Sequence, residues 1–394
     1  MDQEATAVQN LTAPRAGRRR TAVRIGVPVA IAAVVATGIG LVPALASDES
    51  PNLPAISAQD LIAKALSANT DTFSGTVRVN ADLGLPTALT DLASGSGPLG
   101  EMARGAGAKT GSADPQMKAV ELLGGSHTLS VVSDGPDRQR LTLSGQKSGY
   151  ELVHNGDQVW AYDRSSQQAL HLTGAGTDGH RPDGKEGIGS ITPQDIAKQL
   201  LEHSSATTSV TVDGTERVAG HAAYKLSIKP KQAGSTVAEI RVSIDAEKGL
   251  PLAVQLRTVD GATAFDVRFG TLSYAKPEAK TFEFSVPKGA KVVEQSAKEH
   301  AANPMPSVPG LPSLPTGGAD GAKAGVIGEG WTAIARGEAG ADAAKGIAKF
   351  AGREVKGGTL VSTRVVNALI TKDGKIYMGA VTPETLEQAA ASGK

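Results

Sequence analysis

Apolar and polar residues alternate along most of the chain between residues 73 and 286, which is the pattern of strands with one buried face. The apolar face of "TFSGTVRVNADLG" carries Phe73, Val77, Val79 and Ala81. The same alternation predicts strands at 127–133, 137–145, 149–154, 157–162 and 167–172. Five later strands have the same-face sets Tyr224, Leu226, Ile228; Ile240, Val242, Ile244; Leu252, Val254, Leu256; Phe265, Val267, Phe269; and Phe282, Phe284, Val286. Asn155-Gly156 and Asp260-Gly261 between such runs predict tight hairpins.

Helical periodicity accompanies these strands at two places. The first helix is predicted over 57–68, where Ser57 can cap the free amide of Asp60. The second lies in "ITPQDIAKQLLEH", with Thr192 as the cap and Pro193 at the first helical position. The predicted fold class is therefore α+β, with one large curved antiparallel β-sheet and a few covering helices.

The apolar face of this sheet is larger than two short helices can cover. Each inward apolar side chain contributes about 1.5–3 kcal/mol when it is fully removed from water, and more than a dozen are predicted. An apolar surface of that size rarely stays exposed in a monomer, so we expect a lid or a ligand over part of it. An ordinary β-sandwich with a closed core explains the same alternation and is the alternative interpretation.

Changes in composition divide the chain into segments. The main sheet domain is predicted over 55–295, and a long Gly-, Ala- and Ser-rich insertion at 84–125 interrupts it as a lid or loop. Residues 296–324 form a Pro/Gly linker, and residues 325–390 form a small α/β unit. The sequence does not decide whether this unit docks on the main sheet.

The N-terminal region has the character of a targeting segment. Residues 1–24 are basic and are predicted to be cytoplasmic, and residues 25–46 are predicted to be a transmembrane anchor or a signal peptide. The apolar run, 25–42, is close to the shortest length that spans a bilayer. We expect a single N-terminal helix in the cell membrane with the domain outside the cytoplasm, or a secreted or periplasmic protein if the chain is cleaved after Ala46.

Composition excludes several classes of function. Lysine plus arginine and aspartate plus glutamate number 40 each, and aromatic residues are 3% of the chain, so no nucleic-acid partner is expected. There is no cysteine, and the seven histidines lack metal-site spacing, so no metal is expected. No G-x-S-x-G or ordered Ser/His/Asp set is present. We therefore expect no enzymatic activity and no cofactor.

Strand order and turn residues resemble those of the LolA/LolB lipoprotein carriers and the RseB/MucB envelope sensors. The resemblance rests on "PDRQRLTLSGQKSGYELVHNGDQVWAYDRSSQQALHL", on "D-x-x-x-G-L-P-L" in "IDAEKGLPLAVQL", and on "F-x-F-x-x-P-x-G-A" in "FEFSVPKGA". The resemblance covers residues 57 to 294. The chain is similar to exported LolA-family proteins of actinobacterial type. It implies an unclosed half-barrel that holds acyl chains on its concave face, with helices at the mouth. The insertion, the tail and the missing lipid-attachment cysteine depart from the family pattern.

The resemblance also implies which positions line the apolar cavity. They are Val77, Val79, Leu141, Leu143, Leu226, Ile228, Val242, Ile244, Leu252, Val254, Phe265 and Val267. The implied function is a non-enzymatic lipid- or lipoprotein-binding protein of the cell envelope. Its partners would be a lipid or an acylated lipoprotein, with a membrane-embedded anti-sigma factor or transporter as a further partner. The alternative is an RseB/MucB-type envelope-stress sensor that regulates an anti-sigma factor by binding protein.

Overall fold

The structure, a computed structural model, describes residues 50–84, 113–115, 118–119, 122, 124–144, 149–174, 193–297, 325–338 and 352–392. The predicted segments 1–24 and 25–46 lie outside the described residues, as do most of the 84–125 insertion and the 296–324 linker. Within the described ranges, each helix is too short or too polar to cross a bilayer.

Twelve strands form one large open sheet. In chain order they are β1 (Thr72–Asp82), β2 (Gly124–Asp134), β3 (Arg138–Leu143), β4 (Tyr150–Asn155), β5 (Gln158–Asp163), β6 (Gln168–Thr173), β7 (Thr208–Val218), β8 (His221–Pro230), β9 (Val237–Asp245), β10 (Pro251–Thr258), β11 (Thr263–Ser273) and β12 (Lys291–Ser296). Their order across the sheet is β12-β6-β5-β4-β3-β2-β1-β11-β10-β9-β8-β7. This confirms a large, unclosed and mainly antiparallel sheet with few helices. The exception is β12, which pairs parallel with β6.

Local sequence signals place the helices and hairpins where they were predicted. Helix α1 (Ala58–Leu66) begins after Ser57, whose hydroxyl accepts a hydrogen bond from the Asp60 amide at 3.1 Å. Helix α2 (Pro193–Ser204) begins at its proline. Gly156, in the two-residue turn between β4 and β5, has φ of +65°, and Gly261, in the four-residue loop between β10 and β11, has φ of +85°. Both values lie in the left-handed region that glycine adopts readily. Turn chemistry therefore fixes these elements locally.

The predicted strand through Phe282, Phe284 and Val286 is wrong. A 3₁₀ turn occupies Ala279–Phe282, and the chain from 279 to 287, called here the strap, crosses the outer face of β3, β4 and β5. Phe282 is buried and its ring centroid lies 6.0 Å from the Arg138 guanidinium, while Phe284 stacks on Trp160 at 5.2 Å. The alternating rings thus pack on side chains of the sheet, and no neighbouring strand pairs with their backbone within the described residues.

Strand β7 was not predicted, because its alternation is interrupted. The pairing of β7 with β8 shifts between Val212 and Thr215, and Gly214 has φ of +75°. Such a bulge adds residues to one strand and changes which positions face the core. Val210 and Val212 pack against the second cluster, and the next apolar side chain, Val218, comes six residues later and packs in the first cluster. The five residues between them are polar or glycine, so too few apolar positions alternate to predict a strand.

A second, smaller sheet follows in the chain. Its six strands are β13 (Gly325–Ile327), β14 (Ile334–Glu338), β15 (Arg353–Val355), β16 (Gly358–Ser362), β17 (Asn367–Thr371) and β18 (Lys375–Gly379), in the order β13-β14-β18-β17-β16-β15. Helix α3 (Pro383–Ser392) packs on this sheet. Leu360, Leu369, Tyr377 and Leu386 form its core. This unit therefore has its own hydrophobic core.

The second sheet docks on the main sheet through specific hydrogen bonds. The Trp331 indole donates to the Thr208 hydroxyl at 2.8 Å, and the Trp331 amide donates to the Gln232 side chain at 2.9 Å. The Thr236 amide donates to the Ala380 carbonyl at 3.0 Å. Arg364 lies 3.0 Å from the Asp82 carboxylate. The contacts join the start of β7, the β8–β9 loop and the end of β1 to the small sheet.

Trp331 is expected to dominate this docking. Its ring is buried, so Trp331→Ala should lower the free energy of unfolding by about 3–5 kcal/mol through the lost packing. Trp331→Phe keeps most of the ring but leaves the Thr208 hydroxyl without its indole donor, and should cost about 1 kcal/mol. Urea denaturation followed by circular dichroism measures both changes. Equal free energies of unfolding for Trp331→Ala and Trp331→Phe would contradict the expectation that packing of the ring contributes more than its hydrogen bond.

Candidate functional site

One face of the main sheet is apolar across β1 and β7–β11. Residues that pair directly across neighbouring strands place their side chains on the same face. One such row runs through Val79, Val267, Val254, Val242, Leu226 and Val212. A second row runs through Ala81, Phe265, Leu256, Ile240, Ile228 and Val210. The opposite face carries Arg78, Asn80, Gln255, Asp266 and Arg268 in its paired positions. Across these six strands, one face thus carries apolar rows, and the opposite face carries polar and charged side chains at these positions.

Two hydrophobic clusters pack on the main sheet. The first cluster packs residues of β1–β6, β7, β8, β10 and β11 around Val77, Leu129, Leu143 and Leu170, together with Ala113 and Leu122 of the insertion. The second cluster packs Leu226 and Ile244 beneath Leu61 of α1. The described residues of the insertion and helix α1 therefore pack on different clusters of the main sheet.

Between these clusters lies a strip of half-buried apolar side chains, here called the apolar trough. Its members are Val210, Ile228, Ile240, Val242, Val254, Leu256, Phe265 and Val267. Phe265 and Val267 border the first cluster, and Ile228 and Val242 border the second. Val254, Leu256 and Ile240 belong to neither cluster. The trough residues are thus only partly buried, and three of them pack in neither cluster.

The predicted cavity residues divide between core and trough. Val77, Val79, Leu143 and Leu252 are buried in the first cluster, and Leu226 and Ile244 are buried in the second. Leu141 is half-buried against the first cluster. Ile228, Val242, Val254, Phe265 and Val267 line the trough. The register places the strand-paired members on one face, and their contact with a ligand stays a prediction.

Three trough residues were missing from the predicted set. Ile240 and Leu256 lie in the same alternating runs as Val242 and Val254, so the alternation itself was sufficient to find them. Val210 lies in β7, where the bulge hid the strand.

Two open depressions lie away from the trough. One, of about 530 Å³, is lined by Arg140, Glu151, Tyr162, Arg164 and residues 283–287 of the strap. The other, of about 570 Å³, is lined mainly by polar residues, including Asn80, Asp82, Gln255 and Asp266. Both have charged linings, so neither suits an apolar ligand.

A buried ion pair holds the insertion on the sheet. Lys118 Nζ lies 3.0 Å from Asp163 Oδ2, and the Tyr150 hydroxyl donates to the Ala113 carbonyl at 3.1 Å. Burial by itself would raise the pKa of the Asp163 carboxyl. Hydrogen bonds from Ser165 and Ser166, together with Lys118, lower that pKa below its ordinary value of 3.8. The charged carboxylate is thus the stable form beside the first cluster.

Removing the Lys118 ammonium should loosen this attachment. Lys118→Met takes away the ion partner of a carboxylate that is 2% exposed, while Asp163 keeps its bonds from Ser165 and Ser166. We expect a loss of about 1–3 kcal/mol in the free energy of unfolding at pH 7. Lys198→Met, which removes an exposed ion pair with Glu202, is the matched control and should change little. Urea unfolding curves of the two variants measure the difference.

The same pair predicts a pH dependence. Because the folded pKa of Asp163 is depressed, its stabilisation is complete above its ordinary value of 3.8 and is lost as the pH falls below that value. The wild-type chain should therefore lose more stability between pH 6 and about pH 3 than Lys118→Met does, in the range where carboxyls titrate. Unfolding measured at a series of pH values checks this, and parallel pH curves would count against it.

A second titratable cluster lies at the β9–β10 turn. The Tyr274 hydroxyl donates to Asp245 Oδ2 at 2.7 Å, and the amides of Glu247 and Lys248 donate to Asp245 Oδ1. Burial and the Asp245 carboxylate raise the pKa of Tyr274, so its hydroxyl stays a donor. This arrangement fixes the β9–β10 turn. Over the described ranges, no three His, Cys, Asp or Glu residues are placed to hold a metal ion.

Comparison with known proteins gives matches to solved structures, whereas no family model and no curated protein matches. A crystal structure of MucB is 16% identical, with 85% of this chain and 96% of MucB covered and a TM-score of 0.36. The complex of MucA and MucB from Pseudomonas aeruginosa gives 15% identity, 84% and 96% coverage, and a TM-score of 0.38. A LolA superfamily protein from Nitrosomonas europaea gives 12% identity, 58% and 99% coverage, and a TM-score of 0.21.

Proposed function

We propose that this chain is a non-enzymatic, extracytoplasmic binding protein that holds acyl chains of a lipid or an acylated lipoprotein in the apolar trough. The observation that carries the proposal is the strip of half-buried Val, Leu, Ile and Phe side chains between two well-covered clusters. Apolar surface of this kind is stabilised when an apolar ligand displaces water from it.

The dimensions of the trough suit an elongated ligand. It extends across β7, β8, β9, β10 and β11, which is four strand-to-strand steps or about 19 Å. Its paired rows are formed by aliphatic side chains and Phe265. Each buried methylene contributes about 0.8 kcal/mol, so a long chain gains affinity in proportion to its length. The rows supply no charged group that would select a headgroup.

The proposal is tested on the purified full-length chain. Native mass spectrometry should detect a co-purifying lipid, and a fluorescent fatty acid should bind and be displaced by unlabelled fatty acids of increasing length. A headgroup without acyl chains, glycerol phosphate, is the control and should not displace the probe. A chain that carries no lipid and ignores the fluorescent fatty acid would overturn the proposal.

A second candidate function is a sensor that binds a protein partner, as the resemblance to RseB/MucB implies. The second sheet supports it, because Val326 and Val366 of this unit are exposed by 49% and 39%. Exposed apolar side chains contribute to a protein-binding surface where they form one contiguous patch. A pull-down with the extracytoplasmic domain of an anti-sigma-type membrane protein, repeated with Val366→Glu, distinguishes this function from lipid binding.

A further inference from the structure

The segment that precedes α1 is held against the β7–β8 edge of the main sheet. The Thr215 hydroxyl donates to the Pro51 carbonyl at 2.8 Å, and the Tyr224 hydroxyl donates to the Pro54 carbonyl at 2.8 Å. Leu53 and Ile56 pack against the second cluster. From Pro51 onward, the chain therefore has a fixed position on the domain.

Few residues separate this fixed point from the predicted membrane segment. The apolar run ends at residue 42, so residues 43–50, eight in all, join it to Pro51. A fully extended chain spans at most about 3.6 Å per residue, which limits this tether to about 29 Å. If the apolar run lies in a bilayer, the edge that carries α1, β7 and β8 stays close to the lipid surface.

The helix pair on this side exposes apolar side chains. Helices α1 and α2 pack against each other, and Leu66 of α1 and Leu200 of α2 are exposed by 48% and 53%. Within the described residues, Leu66 and Leu200 are the two leucines among the exposed large apolar side chains, and the other members of that group are valines. Single exposed leucines are common on soluble proteins, but here one lies on α1, which directly follows the tether, and the other lies on α2, which packs on α1.

We propose that the exposed face of α1 and α2 docks on the lipid bilayer to which the N-terminal segment anchors the chain. The short tether restricts which side of the domain meets the membrane, and Leu66 and Leu200 enter the boundary between headgroups and acyl chains. Interfacial helices bind membranes through apolar side chains of this kind. The docking goes beyond the proposed acyl-chain binding and does not need an occupied trough.

The absence of cysteine from the chain makes a site-specific test direct. Leu66→Cys and Leu200→Cys are each labelled with an environment-sensitive fluorophore in the full-length chain, which is reconstituted in phosphatidylcholine/phosphatidylglycerol vesicles. Lys372→Cys, in the exposed β17–β18 turn, is the matched control. Doxyl-labelled lipid should quench the fluorophores at positions 66 and 200 at least about twice as strongly as the fluorophore at 372, as expected for interfacial insertion.

A second arm tests the tether. Inserting a flexible Gly/Ser segment of sixteen residues between Ser47 and Asp48 should reduce quenching at positions 66 and 200 and leave position 372 unchanged. Equal quenching at the three positions, or undiminished quenching with the longer tether, would overturn the proposal. A disulfide crosslink between two copies of the unlabelled Leu66→Cys chain, together with no quenching by lipid, would also overturn it, because this face would then contact a second copy of the chain. A purified chain that lacks residues 1–46 would overturn it as well, because the anchor would be missing. Because no fatty acid is added, failure here is distinct from failure of the trough to bind one.

Discussion

Val254→Asp should abolish acyl-chain binding while the domain stays folded. Val254 is half-buried in the trough and pairs with Val242 and Val267 on the apolar face. A carboxylate there keeps access to water in the free protein, so the expected loss of folding stability is about 1–3 kcal/mol. In a complex the same carboxylate would be buried against methylenes, and affinity for a fluorescent fatty acid should fall on the order of 100-fold or more.

Two control variants separate ligand binding from core packing. Thr211→Asp adds the same charge at an exposed position next to the trough residue Val210 on β7, and should change neither binding nor stability. Leu252→Asp places the charge in the first cluster, where the side chain is 1% exposed, and should unfold the domain. Fluorescence titration and urea denaturation are measured on all three. Equal losses of stability for Val254→Asp and Leu252→Asp would favour a closed core over a binding trough.

Gly75→Ala should produce the largest loss of stability among conservative substitutions in the main sheet. A Cβ at position 75 would lie 1.8 Å from the Thr271 carbonyl oxygen and 2.8 Å from its carbon, so the backbone must move. Gly75 pairs with Leu272 beside the bulge between Thr76 and Val77. The β1–β11 pair joins β2–β6 and β12 to β7–β10, so a shift there separates the two parts of the sheet. We expect a loss of about 4 kcal/mol or more, measured by urea denaturation.

Gly124→Ala is the matched control for this substitution. Gly124 begins β2, pairs with Asp82 and has no atom within 4 Å of the position that a Cβ would take. Because alanine restricts the unfolded chain more than glycine does, the variant should be as stable as wild type or more stable by about 0.4–1 kcal/mol. If the free energies of unfolding of Gly75→Ala and Gly124→Ala differ by less than about 1 kcal/mol, the sheet accommodates the methyl group and the prediction is wrong.

The sequence predicted those parts of the fold that depend on neighbouring residues. Ser57 and Asp60 sufficed for the start of α1, and Asn155-Gly156 sufficed for the hairpin between β4 and β5. Alternation identified most strands of the main sheet and placed Val242 and Val254 on one face. It was wrong for Phe282 and Phe284, because aromatic rings that pack on Arg138 and Trp160 give the same periodicity as a strand.

The candidate site was predictable only in part. Five of the twelve predicted cavity residues line the trough, and the rest are in or against the two clusters. Alternation reports which face a side chain is on, but it does not report what lies above that face. The ion pair of Lys118 with Asp163, 45 positions apart in the chain, was equally invisible to local patterns.

By itself the sequence determined strand periodicity, turn positions and the Ser57 helix cap, because each depends on residues close together in the chain. Tertiary structure alone decided that the second sheet docks through Trp331, that the strap crosses the outer face, and that the trough lies between two covered clusters. These features come from contacts between distant segments. The free energy of these contacts depends on which surfaces meet, and the periodicity of a short stretch of sequence does not contain that information.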